Sequence, residues 1–145
     1  MNRGKGEKEE IGKRMSEGFE RERGRIRCFE DLFTWQKSVE FAKAIYIVTE
    51  RSGLKSDFGL KDQMRRSAVS ISTNIAEGFE RRSDKEYLNF LNIAKGSAGE
   101  IRSLLVVAFE VGYIAQPEPK TMVEKAKFLS GSIANQMRSI AASSK

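Results

Sequence analysis

Six cationic side chains in two short groups carry the most suggestive chemistry in this chain: Lys61, Arg65 and Arg66, then Arg81, Arg82 and Lys85. Lys61 and Arg65 stand four residues apart, a spacing that sets two side chains on one helical face. Cations grouped in this way neutralise phosphates and release condensed counterions, which gives binding by charge and shape. Aromatic platforms of the kind that stack unpaired bases are not evident, so sequence-specific reading is not expected. The competing reading of the same cations is an ordinary solvated surface.

Catalytic chemistry has little to work with. The 145 residues include no histidine, which removes the usual Ser-His and Cys-His nucleophiles. It also removes His ligands for zinc or a di-iron pair, and any Arg-x-x-x-x-His ribonuclease site. No glycine-rich phosphate loop has Walker or Rossmann spacing. Glu77 and Glu100 could meet inside a bundle and hold a metal. Two glutamates without histidine make a poor site, more readily satisfied by Ser, Asn or Arg neighbours. The expectation is a binding protein, not an enzyme, with no cofactor and no metal.

The net charge of +6 is shared evenly: residues 1–27 hold nine Lys/Arg against six Asp/Glu, and residues 28–145 seventeen against fourteen. Such a balance permits nucleic-acid binding without requiring it. The single Cys28 cannot form an internal disulfide, and the polar start MNRGKGEKEE has no apolar signal core. Both fit a cytoplasmic protein. No apolar run approaches the ~18 residues of a membrane span.

These side chains need helices to position them. Residues 1–28 read as a charged N-terminal arm, and residues 29–145 as an up-down-up-down antiparallel four-helix bundle. In the arm, Ile11, Met15 and Phe19 share one face, consistent with partial helix; disorder, or a leader preceding Met15, are the alternatives. Asp31 is a candidate N-cap. Trp35, Val39, Ala42, Tyr46 and Thr49 then follow a four-three rhythm, widened by Phe41, Ile45 and Val48. Ser52-Gly53 ends this first helix, expected over 32–52. The second, over 58–80, has a core stripe of Leu60, Met64, Ala68, Ile71 and Ile75. Beside it runs a polar stripe of Ser67, Ser70, Asn74, Glu77 and Arg81, either a solvated edge or a set of hydrogen bonds to a partner helix or subunit.

Ser83-Asp84-Lys85-Glu86 is a capping box opening the third helix, over 83–113. Its seam is Tyr87, Leu91, Ala94, Ala98, Ile101, Leu105 and Ala108, along about 45 Å of helix. Its other side carries Asn92, Gly96, Gly99 and Ser103. Glycine weakens a helix by about 1 kcal/mol, so two on one face suggest a close neighbour there. Pro117 and Pro119 lead into a fourth helix over 119–142, with Met122, Ala126, Leu129, Ile133 and Ile140 inward. From these patterns Trp35, Tyr46, Ile71, Ile75, Leu91, Ile101 and Leu105 should be largely buried.

Three segments look familiar in order: F-E-D-L-F-T-W-Q-K-S (29–38), L-K-D-Q-M-R-R-S-A-V-S-I-S-T-N-I-A-E-G-F (60–79) and E-Y-L-N-F-L-N-I-A-K-G-S-A-G-E-I-R-S-L-L (86–105). From Phe29 to Ile140 the chain resembles the bacterial four-helix-bundle family named for reading frames inside 23S rRNA intervening sequences. The resemblance implies a closed homo-oligomer, commonly a pentamer. It also implies a likeness in shape to a basic helical ring that binds nucleic acid and a reverse transcriptase. It brings no catalytic residues.

The expected function is an oligomeric accessory protein that binds nucleic acid, RNA foremost, through Lys61, Arg65, Arg66, Arg81, Arg82 and Lys85. Its expected partners are copies of itself through the Asn92/Gly96/Gly99/Ser103 face, RNA or DNA, and a reverse transcriptase or another protein. The alternative is a structural or protein-interaction scaffold that binds no nucleic acid.

Overall fold

Apolar side chains repeating on one face drive four long helices: α1 (Phe33–Val48), α3 (Phe58–Phe79), α4 (Asp84–Glu110) and α5 (Glu118–Ser143). A 3-10 turn (Phe29–Asp31) precedes α1, and the five-residue α2 (Ser52–Ser56) joins α1 to α3. The structure is a computed structural model that describes residues 26–144 together with Gly6, Glu9 and Glu10. The arm expected over residues 1–28 lies outside the described residues except for those three and residues 26–28, where Ile26 packs against the core. Short connections make successive long helices antiparallel, and the result is an up-down-up-down four-helix bundle with no strand among the described residues.

The α3 and α4 seams are inward as the spacing predicts. Met64, Ala68, Ile71 and Ile75 of α3 are fully buried against Leu91, Ala94, Ala98, Ile101, Leu105 and Ala108 of α4. Part of the polar stripe of α3 becomes an inter-helix contact: Ser67 is buried, and the Ser70 and Ser97 hydroxyl oxygens lie 2.8 Å apart. Asn74 donates back to the Ser70 carbonyl within α3 at 2.8 Å, while Glu77 and Arg81 are exposed. Gly78 permits the closest approach. A Cβ there would come within 2.9 Å of the Phe90 Cβ and 3.2 Å of the Tyr87 carbonyl oxygen.

Helix α1 departs from expectation in part: Phe41, Ile45, Val48 and Thr49 are buried as expected, whereas Trp35, Val39 and Tyr46 are not. Its inward face is Thr34, Ser38, Phe41, Ile45 and Val48, with Thr49 beyond the helix end. Val39 and Tyr46 are 41% and 45% exposed, and Trp35 is half-buried, edge-on to Phe29 at 5.3 Å. The helix is thus turned by one residue, about 100°. Two four-three rhythms run side by side in this helix, and the inward one is partly disguised by hydroxyl residues. Thr34 can be buried because its hydroxyl donates to Gln136 Oε1 of α5 at 2.6 Å. Gln136 Nε2 donates in turn to the Tyr87 hydroxyl oxygen of α4, also at 2.6 Å. Further along α1 and α5 a cleft of about 560 Å³ opens, lined by Phe41, Phe128 and Leu129 among others.

Helix ends are set by particular residues. Asp31 is not the α1 cap; it lies in the 3-10 turn, where its carboxylate accepts from the Arg27 amide at 3.2 Å. Ser52-Gly53 does not end α1 but belongs to α2, a fold-back that carries Leu54 into the core with no exposed surface. Gly53 lies beneath the Tyr113 ring, where a Cβ would overlap it. Asp57 caps α3 by accepting from the Leu60 amide at 3.1 Å, and its other carboxylate oxygen accepts from the Tyr113 hydroxyl at 3.0 Å. Ser83 caps α4 as the box predicts, accepting from the Glu86 amide at 3.2 Å. The Glu86 carboxylate reaches back to the Ser83 hydroxyl, at 3.1 Å. Gly112, at φ +85°, ends α4; the Tyr113 amide donates to Ala108 O and the Gly112 amide to Phe109 O, both at 2.9 Å.

Ile101→Ala should lower stability by about 2–5 kcal/mol in denaturant unfolding, because the side chain is fully buried. Gly78→Ala should also destabilise, for lack of room. Gly96→Ala enters open space and should raise the stability of the individual bundle by about 1 kcal/mol through helix propensity. Equal effects at the two glycines would contradict the close approach at Gly78.

Candidate nucleic-acid interface

The six cations do not form one surface. Lys61, Arg65 and Arg66 lie in the first half of α3, while Arg81, Arg82 and Lys85 surround the turn into α4. Twenty-two helical residues separate the ends of α3 by about 30 Å.

The first group is largely matched within the chain. Glu50, at the end of α1, receives both Lys61 Nζ at 3.3 Å and an Arg65 terminal nitrogen at 2.6 Å on one oxygen. Arg65 also donates through Nε to the Thr49 hydroxyl at 2.8 Å and lies over the Tyr46 ring, 4.3 Å from its centroid. This explains why Tyr46 is outside the core: its face supports a guanidinium. The Arg65 hydrogen bond and then Lys61 hold the Glu50 carboxyl below its ordinary value of 4.5. Arg66 pairs with Asp62 one turn away at 3.0 Å, in an exposed contact.

The second group is more open. Arg81 pairs with Glu77 and lies 4.7 Å above the Phe90 ring. Arg82 and Lys85 are exposed and have no ion-pair partner among the described residues. The Ser83 cap lies between them in the chain. Glu77 and Glu100 are both exposed, so they do not meet inside the bundle. Among the described residues no three His, Cys, Asp or Glu side chains are grouped to hold a metal. No helix among them is long and apolar enough to cross a membrane.

On the outer side of α4, Asn92, Gly96, Gly99 and Ser103 are all exposed. No atom lies within 4 Å of where a Cβ would stand on Gly96 or Gly99. Nothing among the described residues therefore accounts for the two glycines. Ile93, Val106 and Val107, 52%, 50% and 44% exposed, flank this face, with the exposed Glu100 among them.

A family model described as "23S rRNA-intervening sequence protein" matches residues 30–141. The chain belongs to this family. A solved member of the S23 ribosomal protein family from Bacteroides thetaiotaomicron VPI-5482, itself a protein of unknown function, is similar at 25% identity. The match covers 72% of this chain and 97% of that one, with a TM-score of 0.66. No curated protein matches the chain.

Glu50→Gln gives a pH test of the Lys61–Glu50–Arg65 cluster. A carboxyl held below its ordinary value adds stability above that value and loses it as pH falls through the folded one. Wild type should therefore melt above Glu50→Gln at neutral pH, and the two curves should converge below pH 4.5. A gap that persists in acid would show that the variant acts through something other than this charge.

Proposed function

We propose that this family member is a non-enzymatic, homo-oligomeric accessory protein that holds nucleic acid, RNA foremost, through phosphate contacts at the α3–α4 corner. The observation that carries this reading is the exposed pair Arg82 and Lys85, without an ion-pair partner among the described residues, on the turn that holds the Ser83 cap. Cations that already satisfy a carboxylate must exchange one partner for another, whereas unpaired ones are free to displace counterions from a phosphate. Lys61, Arg65 and Arg66 contribute more weakly, since Glu50 and Asp62 already engage them. A ring of several such corners, the pentamer that the family resemblance implies, would multiply a weak contact by proximity. The single cysteine and the absence of a spanning helix among the described residues are compatible with a cytoplasmic setting.

The second reading is a protein scaffold, whose partner is a reverse transcriptase or another protein. It is favoured by the exposed Ile93, Val106 and Val107 that flank the face of Gly96 and Gly99. The same face serves the first reading as the subunit contact.

Anisotropy titrations with unrelated RNA and DNA duplexes across a salt series separate the two. Neutralising both Arg82 and Lys85 to glutamine should weaken every duplex about equally and lower the salt slope by about one for each phosphate left without its cation. Unchanged affinity and slope would remove the corner from the interface, and a wild type that binds nothing at low salt would favour the scaffold. Light scattering should show an oligomer that Gly96→Leu or Gly99→Leu dissociates while circular dichroism stays helical. A monomeric wild type, or an oligomer indifferent to both leucines, would reject that face.

A further inference from the structure

Phe58 is 77% exposed, the most exposed large apolar side chain among the described residues, the next being Val111 at 56%. It begins α3, and among the described residues no ring stacks on it and no cation covers it. Folding does not require this position, because burial of the corner is already supplied by Leu54, with no exposed surface, and by half-buried Leu60. Gly59 follows it, with only the Asp57 carboxylate near its Cβ position, so no side chain shields the ring from that neighbour. Phe58, Gly59, Lys61, Asp62 and Arg65 line an open cleft of about 530 Å³, a size within the range of small-ligand sites.

We infer that Phe58 is a stacking platform for an unpaired nucleobase, and that this end of α3 is a site for single-stranded nucleic acid, distinct from the α3–α4 corner. The inference rests on the nucleic-acid reading above. The surroundings of the ring select the ligand. A protein partner would cover an apolar patch, but the side chains around Phe58 are charged. Lys61 and Arg65 line the cleft with Phe58 and share the single carboxylate of Glu50, which leaves the balance there positive. The carboxylates are committed: Glu50 to Lys61 and Arg65, Asp57 to the α3 cap and Tyr113, and Asp62 to Arg66. A flat ligand that carries a π face and a negative charge on the same unit fits this combination, and a nucleotide in a single strand is such a ligand. Duplex bases are stacked on one another and cannot reach the ring, so the site discriminates by strandedness. The exposed Arg66–Asp62 pair, with side chains 81% and 64% exposed, gives up little when Arg66 turns to a phosphate.

The test uses the full chain with a labelled single-stranded oligouridylate and an RNA duplex of equal length. Phe58→Ala should weaken single-strand binding by roughly tenfold and leave duplex binding unchanged. Phe58→Tyr should restore it, and Phe58→Trp should show indole fluorescence quenched by the oligonucleotide. Single-strand affinity equal to wild type in Phe58→Ala would overturn the inference, as would a loss in Phe58→Tyr as large as in the alanine variant. If Phe58→Ala instead lowers the oligomer mass and leaves both affinities intact, the ring belongs to a protein contact and the inference falls. A wild type that binds duplex but shows no Phe58 dependence rejects this site alone. A wild type that binds neither nucleic acid rejects the broader reading with it.

Discussion

One buried hydrogen-bonded chain, Thr34 to Gln136 to Tyr87, ties the first helix to the last two, alongside the Phe33–Phe128 ring contact. A buried primary amide is costly unless both its ends are satisfied, and here the oxygen and the nitrogen find partners on two other helices. Because the chain joins α1, α5 and α4, it fixes the rotation of α1 about its own axis. That rotation sends Phe41 and Ile45 inward and leaves Tyr46 at the surface. Tyr46 in turn supports Arg65, which joins Lys61 on Glu50. A polar contact in the core thus decides which cations at the other end of α1 remain available.

The parts of the fold written in local pattern were legible. Unbroken four-three spacing placed the α4 seam correctly, and S-D-K-E located its cap. In α1 the inward rhythm contains Thr34 and Ser38, which look like surface residues; Thr34 finds its partner in Gln136, 102 residues away, and Ser38 in the Trp35 carbonyl of its own helix. The same distance problem hid the basic group. Glu50 lies eleven and fifteen residues before Lys61 and Arg65, across two turns of chain, so no periodicity links them. Asp62–Arg66 and Glu77–Arg81 differ, since their i,i+4 spacing already states the pair. Phe58 was hidden for the opposite reason. At a helix start an aromatic residue suggests packing, yet Leu54 of α2 is buried and Phe58 is not.

Charge on this surface divides into matched and unmatched cations. Where two helices run side by side, as α1 and α3 do around Glu50, long side chains meet acids from the neighbour and lose mobility together. Where the chain turns, as between α3 and α4, side chains project with no neighbouring helix to answer them. Arg82 and Lys85 stand at such a turn, with the Ser83 cap between them. Unmatched cations also stand along the helices among the described residues, at Lys43, Lys95, Lys125 and Lys127.

The slender contact between α1 and α5 also gives the chain an order of assembly. Contacts between α3 and α4 join residues near in sequence across the Ser83 turn, so their loop is short and entropically inexpensive to close. The Thr34–Gln136 bond closes a loop of 102 residues and gains little area nearby, because the cleft beside Phe41 and Phe128 leaves the seam unfilled. The α3–α4 hairpin is therefore the first part to become native and the last to exchange its amide hydrogens with solvent.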